Sequence, residues 1–219
     1  MTKFTHNWDV TPQEAITIQE NLRHLIVSED RFTNVQYIAG VDVGFEEQGK
    51  VTRAAVVLLN YPELDLQEQC ISRRPTTFPY VPGLLSFREV PTILVALEEI
   101  QGSIDLLVCD GQGFAHPRRF GLACHLGLLT NIPTIGVAKS RLIGEHKLVG
   151  INRGDQQPLT DNNDLIGVVL RTRSNVKPVI VSIGHMVSLT SAVNWVLRCS
   201  RTYRLPEPIR QAHRLASQK

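Results

Sequence analysis

The sequence predicts one α/β domain, residues 1–219, in which a mixed β-sheet is flanked by helices. Three observations support this fold class. Three β-rich runs follow one another near the start of the chain, as in an antiparallel meander. Short apolar runs then alternate with helical segments, which is typical of parallel strands joined by crossover helices. Apolar residues make up 42% of the 219 residues, enough to bury a core without a disulfide or a structural metal.

The first half of the chain contains one predicted helix followed by three predicted strands. The helix spans residues 11–28 and begins with Thr11-Pro12-Gln13-Glu14, a typical helix start. The strands span residues 37–45, 52–60 and 64–73 and are separated by turns that contain glycine or proline. Such short connections favour consecutive antiparallel strands.

The second half is predicted to alternate helices and strands. Three helices are expected, at about 91–101, at 120–130 and around 193–197, and Pro91 would lie at the start or at a kink of the first. Strands are expected at 104–109, 134–138, 165–170 and 179–183. This order of elements suits the ribonuclease H-like architecture, a mixed sheet flanked by helices.

Charge and cysteine content restrict the class of protein only weakly. The formal net charge is +2, but residues 198–219 contain six basic residues and one acid, which favours a polyanion-facing end over a merely solvated basic helix. Four cysteines without C-x-x-C spacing are predicted to be reduced. The start lacks the apolar core of a secretion signal and no membrane-length apolar stretch occurs, so a cytoplasmic protein is expected.

Two aspartates at predicted strand positions are candidates for a metal site. Asp42 shares a strand face with Gly40 and Gly44, so its carboxylate has small neighbours. Asp110 ends an apolar run and opens the turn Asp110-Gly111-Gln112-Gly113, at a strand end where α/β active sites collect. Carboxylates on neighbouring strands suit Mg²⁺. An ion pair between Asp42 and an arginine, and an ordinary Asp-Gly turn, are the alternatives.

Three further residues are candidates for catalysis. Glu89 precedes the helix predicted from Pro91, Lys139 follows a predicted strand, and His213 lies in the basic C-terminal segment. Lys139 could contact a phosphate oxygen, and His213 could bind a metal or pair with a carboxylate. Each has an ordinary alternative: a helix-dipole partner for Glu89, a solvated lysine, and a surface histidine.

One loop and one turn suit contacts with nucleic acid. The segment His116-Pro117-Arg118-Arg119 offers three side chains, those of His116, Arg118 and Arg119, to phosphate oxygens, although an arginine-rich helix start is the alternative. Tyr80 lies between two prolines, in a rigid setting for a ring that wedges between bases. From spacing alone, a buried turn tyrosine is the stronger interpretation.

Several motifs taken together are more specific than any single residue. They are Gly40-Val41-Asp42-Val43-Gly44-Phe45, residues 79–89 (PYVPGLLSFRE), Asp110-Gly111-Gln112-Gly113, His116-Pro117-Arg118-Arg119, Ile135-Gly136-Val137-Ala138-Lys139, residues 181–185 and residues 203–208. Their order and spacing closely resemble the endonuclease V family over about residues 12–215.

The resemblance implies a fold and a metal site. The fold would be ribonuclease H-like. Asp42, Glu89 and Asp110 would bind Mg²⁺, with Mn²⁺ as a substitute, and His213 would be a further metal-site residue. Lys139 would belong to the catalytic set. The metal would activate water and stabilise the departing oxygen.

The resemblance also implies a substrate. The family cuts the second phosphodiester bond 3′ to deoxyinosine, the product of adenine deamination, leaving a 3′-hydroxyl and a 5′-phosphate. The expected partner is therefore DNA containing deoxyinosine, with inosine-containing RNA as the alternative, bound by a monomer. Tyr80 would separate the strands, and Gly83, Leu85, Gly111 and Gly136 would surround the extruded base.

One departure from the family and two competing hypotheses accompany this prediction. Gln112 occupies a position where the family usually has histidine. The reaction rate and the metal preference of this chain can therefore differ from those of the family. Residues 40–44 also resemble the first phosphate motif of sugar kinases and actin-like ATPases, but those proteins need a second such domain. A non-catalytic DNA-binding module is the other alternative, and the presence of Asp42, Glu89 and Asp110 argues against it.

Overall fold

The computed structural model describes residues 5–218 and arranges eight strands in one sheet. The strands are β1 Tyr37–Glu46, β2 Val51–Asn60, β3 Leu66–Pro75, β4 Leu106–Asp110, β5 Thr134–Ala138, β6 Gln156–Asp161, β7 Asp164–Leu170 and β8 Val179–His185. The α-helices are α1 Pro12–Leu22, α2 Leu85–Glu98, α3 Leu122–Thr130, α4 Leu189–Cys199 and α5 Glu207–Ser217.

The sheet is mixed, as predicted. Its strand order is β3-β2-β1-β4-β5-β8-β7-β6. The first three strands are antiparallel neighbours, whereas β1, β4 and β5 run parallel. The parallel trio places the ends of β1, β4 and β5 next to one another, and the candidate carboxylates lie there.

Two apolar layers cover the sheet. On one face, α2 and α3 pack their apolar side chains, including Val90, Ile93 and Leu126, against alternate residues of β1, β2 and β4. On the other face, α4 and α5 contribute Trp195 and Ile209 to a second cluster. Because successive side chains of a strand point to opposite faces, the same strands contribute apolar residues to both layers.

The close packing of α5 against β1 depends on a glycine. A Cβ built at Gly40 would lie 2.2 Å from the Pro208 carbonyl oxygen. Any side chain at this position would push the start of α5 away from the sheet. Because α5 carries His213, Gly40 also fixes the distance between that imidazole and the strand that carries Asp42.

Two predicted helices differ from the structure, and one strand was not predicted. Helix α1 ends at Leu22 and continues as a 3-10 turn at residues 23–25, so it is shorter than predicted. Helix α2 begins at Leu85, and Pro91 lies inside it. An interior proline costs roughly 3 kcal/mol, and the buried apolar face of α2 offsets that cost. Strand β6 was missed because it is polar and contains Pro158, which the sheet edge tolerates.

Two further sequence predictions bear on the class of protein. All four cysteines are free thiols, and Cys109, Cys124 and Cys199 are buried, as predicted for reduced structural residues. Within residues 5–218, none of the helices has the length and apolar character needed to cross a membrane.

Candidate active site

Asp42 and Asp110 meet at the parallel pair β1 and β4. The register pairs Val41 with Cys109, so the two aspartates follow at adjacent positions on neighbouring strands. Both carboxylates are largely buried, with side-chain exposures of 12% and 10%. The strand pairing therefore places two acids side by side in a poorly solvated position.

His213 completes a group of three potential metal ligands with these two aspartates. One ligand atom from each residue lies within 4.8 Å of the others. The His213 Nδ1 atom is 2.6 Å from Asp42 Oδ2. Burial, and then the nearby charge of Asp110, raise the pKa of Asp42 above its usual value, while the bond to His213 lowers it. The alternative interpretation of Asp42, an ion pair with an arginine, does not hold, because its partner within residues 5–218 is His213.

Lys139 neutralises part of this negative charge. Its Nζ atom lies 2.5 Å from Asp110 Oδ2. Arg204 donates to the Lys139 carbonyl oxygen at 2.8 Å, so a basic residue of the C-terminal segment supports the end of β5 rather than facing solvent alone. Lys219, the last basic residue of that segment, lies outside the described residues.

Glu89 lies beside the cluster but outside the group of three. It sits in the second turn of α2, not ahead of the helix as predicted, and is only 7% exposed. Burial, followed by the charges of Asp42 and Asp110, raises the pKa of Glu89 to about 8. The carboxyl group is therefore protonated at neutral pH unless a cation joins it.

These residues fit a hard divalent cation. Two carboxylates and one imidazole offer oxygen and nitrogen ligands, and a third carboxyl group lies nearby with a pKa raised by burial and then by like charge. Three acids in one poorly solvated position repel one another, and a divalent cation would relieve that repulsion.

A hollow of about 380 Å³ opens next to the carboxylates. Asp110 and Lys139 belong to the charged cluster and also line the hollow. Gly83, Leu85 and Gly111 also line the hollow, and its volume is in the range of sites for small aromatic ligands.

Gly136 supports this hollow from behind rather than lining it. A Cβ at Gly136 would lie 2.4 Å from the Gly113 nitrogen and 2.8 Å from the Gly111 oxygen. A side chain there would displace the turn that follows Asp110.

Tyr80 stands at the rim of the hollow with 72% of its surface exposed. The interpretation favoured from spacing, a buried turn tyrosine, is therefore wrong. A ring held in solvent beside a concave site can stack on a bound group.

The match to a protein family decides what kind of protein this is. Residues 20–214 match the family model described as Endonuclease V. The chain belongs to the endonuclease V family. An Endonuclease V from Trichormus variabilis is 57% identical over 215 residues, covering 98% of this chain and 97% of its own length.

Solved structures of endonuclease V agree with the fold. The protein from Streptomyces avermitilis superposes with a TM-score of 0.91 at 43% identity, covering 96% of this chain and 93% of its own. The protein from Ciona intestinalis, in complex with a 24mer DNA containing an inosine followed by a ribo-adenosine, gives a TM-score of 0.82 at 30% identity, covering 93% and 95%. The ribonuclease H-like fold predicted from the sequence is confirmed.

The loop predicted to contact phosphates, residues 116–119, forms hydrogen bonds within the protein. The Gly83 carbonyl oxygen accepts from His116 Nε2 at 2.9 Å, from Arg118 at 2.8 Å and from Gln19 at 3.1 Å. Arg119 pairs with Asp161 at 2.9 Å. Within the protein, His116 and Arg118 therefore fix the turn at Gly83, and Arg119 ties the loop to the β6–β7 hairpin. Their contact with DNA phosphates stays a prediction.

His116 is neutral in this arrangement. Burial, and then the charge of Arg118, lower the pKa of His116 to about 4. A carbonyl oxygen can only accept, so Nε2 carries the hydrogen, while Nδ1 accepts from the Arg118 amide at 3.2 Å. Gln19, which also donates to the Gly83 carbonyl, was not identified from the sequence. Helical periodicity predicts that the large apolar residues of α1 are buried, whereas its buried residues are Ala15 and Gln19.

Proposed function

We propose that this protein is a DNA repair endonuclease that recognises deoxyinosine and nicks the strand on its 3′ side. The observation that carries the proposal is the double position of Asp110, which lines the hollow and belongs to the acidic cluster. A base held in the hollow would therefore bring its own strand to the carboxylates. The inosine in the DNA bound by the Ciona intestinalis relative supports the choice of lesion.

The finer reaction follows from the family resemblance. Hydrolysis would occur at the second phosphodiester bond 3′ to the lesion and leave a 3′-hydroxyl and a 5′-phosphate. Inosine-containing RNA is the second candidate substrate, since the DNA of that relative carries a ribo-adenosine after the inosine.

The residues divide the chemistry among themselves. Asp42, Asp110 and His213 would hold a divalent metal, Mg²⁺ or Mn²⁺, with Glu89 as a further carboxylate. When bound, such an ion lowers the pKa of coordinated water and stabilises negative charge on the leaving oxygen. Lys139, relieved of Asp110 by the cation, would place its ammonium against a phosphate oxygen.

The test is cleavage of an end-labelled duplex that carries one deoxyinosine. We expect a nick beyond the 3′ neighbour of deoxyinosine with Mg²⁺, no nick with EDTA and none in an undamaged duplex. Metal-dependent binding without a nick would instead support the non-catalytic DNA-binding module.

Tyr80→Ala is expected to reduce nicking of the deoxyinosine duplex by about tenfold, because stacking on one base contributes roughly 1–3 kcal/mol. Thermal stability should not change, since the ring is exposed. Tyr80→Phe keeps the ring and should keep the activity. Equal nicking by the alanine variant and the wild type, measured under single-turnover conditions, would remove the wedge role.

A further inference from the structure

A chain of hydrogen bonds leads from the protein surface to the wall of the hollow. His125, on α3, is wholly buried. Its Nδ1 atom lies 3.0 Å from the Ser86 hydroxyl on α2, and its Nε2 atom lies 2.7 Å from Nε2 of His6. The Nδ1 atom of His6 lies 2.7 Å from the Asn7 carbonyl oxygen. Ser86 lines the hollow, so the chain ends at the proposed base site.

The carbonyl at one end fixes the direction of every bond in this chain. A carbonyl oxygen can only accept, so His6 Nδ1 carries a hydrogen. Neutral His6 then has a bare Nε2, which accepts from the Nε2–H of His125. The Nδ1 atom of His125 is therefore bare and accepts from the Ser86 hydroxyl.

The surroundings keep both imidazoles neutral. The rings of Trp8, Phe87 and Phe120 surround the pair. Burial lowers the pKa of His6, although its bond to the Asn7 carbonyl partly opposes this, and burial followed by the nearby His6 lowers the pKa of His125 further. Within residues 5–218, no carboxylate or ammonium group influences the pKa of either imidazole.

This polarity leaves the Ser86 oxygen with acceptor capacity only. Its hydrogen is committed to His125, so any polar group of a bound base that meets this oxygen must be a donor. Hypoxanthine carries a hydrogen on N1, whereas N1 of adenine is a bare acceptor. A fixed acceptor on the wall of the hollow thus distinguishes the two purines at one atom.

We propose that Ser86 determines specificity by accepting a hydrogen bond from N1–H of a 6-oxopurine, with His125 and His6 as positioning residues that set the direction of its hydroxyl. The inference rests on the proposed function, since it requires an extruded base in the hollow. Guanine also carries a hydrogen on N1, so residues other than Ser86 must exclude guanine from the hollow.

The test compares two single-lesion duplexes under single-turnover conditions. One carries deoxyinosine, and the other carries purine deoxyriboside, which has a bare N1 and no oxygen at C6. Ser86→Ala should lower the deoxyinosine to purine ratio of kcat/KM by about tenfold, the effect of one hydrogen bond. Cleavage of the purine duplex should not fall. Ser103→Ala, at an exposed serine, is the control and should keep the wild-type ratio.

His6→Phe tests the direction of the chain at its far end. The ring still stacks on Trp8, but His125 loses the acceptor for its Nε2–H. An unpaired N–H is more costly than a bare ring nitrogen, so His125 should move its hydrogen to Nδ1 and donate to Ser86. The serine hydrogen is then free to point into the hollow, and the ratio should fall as in Ser86→Ala. His24→Phe, at an exposed histidine, is the matched control.

The combined variant separates this proposal from a structural role. His6→Phe should have no further effect on the ratio in the Ser86→Ala background, because both changes remove the same acceptor. Equal losses on both duplexes, or additive effects on the ratio, would overturn the proposal. If the wild type does not nick deoxyinosine at all, the proposed function fails; if it does and the ratio is unaltered in Ser86→Ala, only this inference fails.

Discussion

Asp42→Asn and Asp110→Asn are each expected to slow nicking of the deoxyinosine duplex by roughly a thousandfold, because a catalytic metal supplies several kcal/mol to the transition state. Asparagine keeps the shape of the side chain but offers a neutral oxygen. The fold should weaken little, since asparagine keeps an oxygen that can accept from Lys139 or His213 while each change removes a charge from a poorly solvated position. Single-turnover nicking and thermal melting measure the two effects.

Binding measurements separate the loss of metal from the loss of substrate. Both variants should bind Mn²⁺ more weakly in an electron paramagnetic resonance titration, and both should still bind the deoxyinosine duplex in EDTA. Asp65→Asn, in the exposed turn between β2 and β3, makes the same chemical change away from the cluster and should behave like the wild type. Nicking at the wild-type rate by either cluster variant would remove the metal assignment.

The sequence could predict the meeting of Asp42 and Asp110 because both lie on short-range patterns. Strand periodicity identifies the residues of β1, and the end of an apolar run identifies the end of β4. Parallel neighbours then bring the two positions together. His213 has no such pattern, since its place beside Asp42 depends on the packing of α5 over Gly40. From the sequence alone a metal ligand and a surface histidine were both open, and the family resemblance favoured the metal ligand.

The partners of buried polar side chains could not be predicted, because they are chosen by tertiary contacts. A basic loop sequence suits phosphate contacts, yet His116 and Arg118 are used to hold the Gly83 carbonyl. The same limit applies to His125 and Ser86, which lie 39 residues apart in the chain. Nothing in the spacing of these four residues distinguishes a partner within the protein from one in a ligand.

Helix α2 illustrates how a single residue can mislead. Proline is common in the first turn of a helix and rare in its interior, so Pro91 favoured a helix start and placed Glu89 outside it. In the structure Phe87 packs against Ala15 and Phe78, and Val90 and Ile93 pack on the sheet, so α2 is held on both sides of Pro91. This packing stabilises a helix that continues past Pro91, and it buries Glu89 beside the carboxylates.

Glu89→Gln is therefore expected to stabilise the metal-free protein while it lowers activity. The pKa of Glu89 is about 8 in the folded chain and about 4.3 in an unfolded one. The folded state binds a proton that the unfolded state releases, so wild-type stability should fall as pH rises from about 4.3 to about 8 and then level off. Glutamine has no proton to lose. In EDTA, the difference in free energy of unfolding between the variant and the wild type should thus grow with pH, up to several kcal/mol.

Chemical denaturation in EDTA at a series of pH values measures this difference, and Glu98→Gln on the exposed end of the same helix is the control. Nicking by Glu89→Gln should fall by roughly a hundredfold, since its amide is a poorer metal ligand than a carboxylate. Greater stability combined with lower activity is the mark of a charge retained for function. A variant less stable at every pH would instead show that Glu89 is a structural carboxyl group.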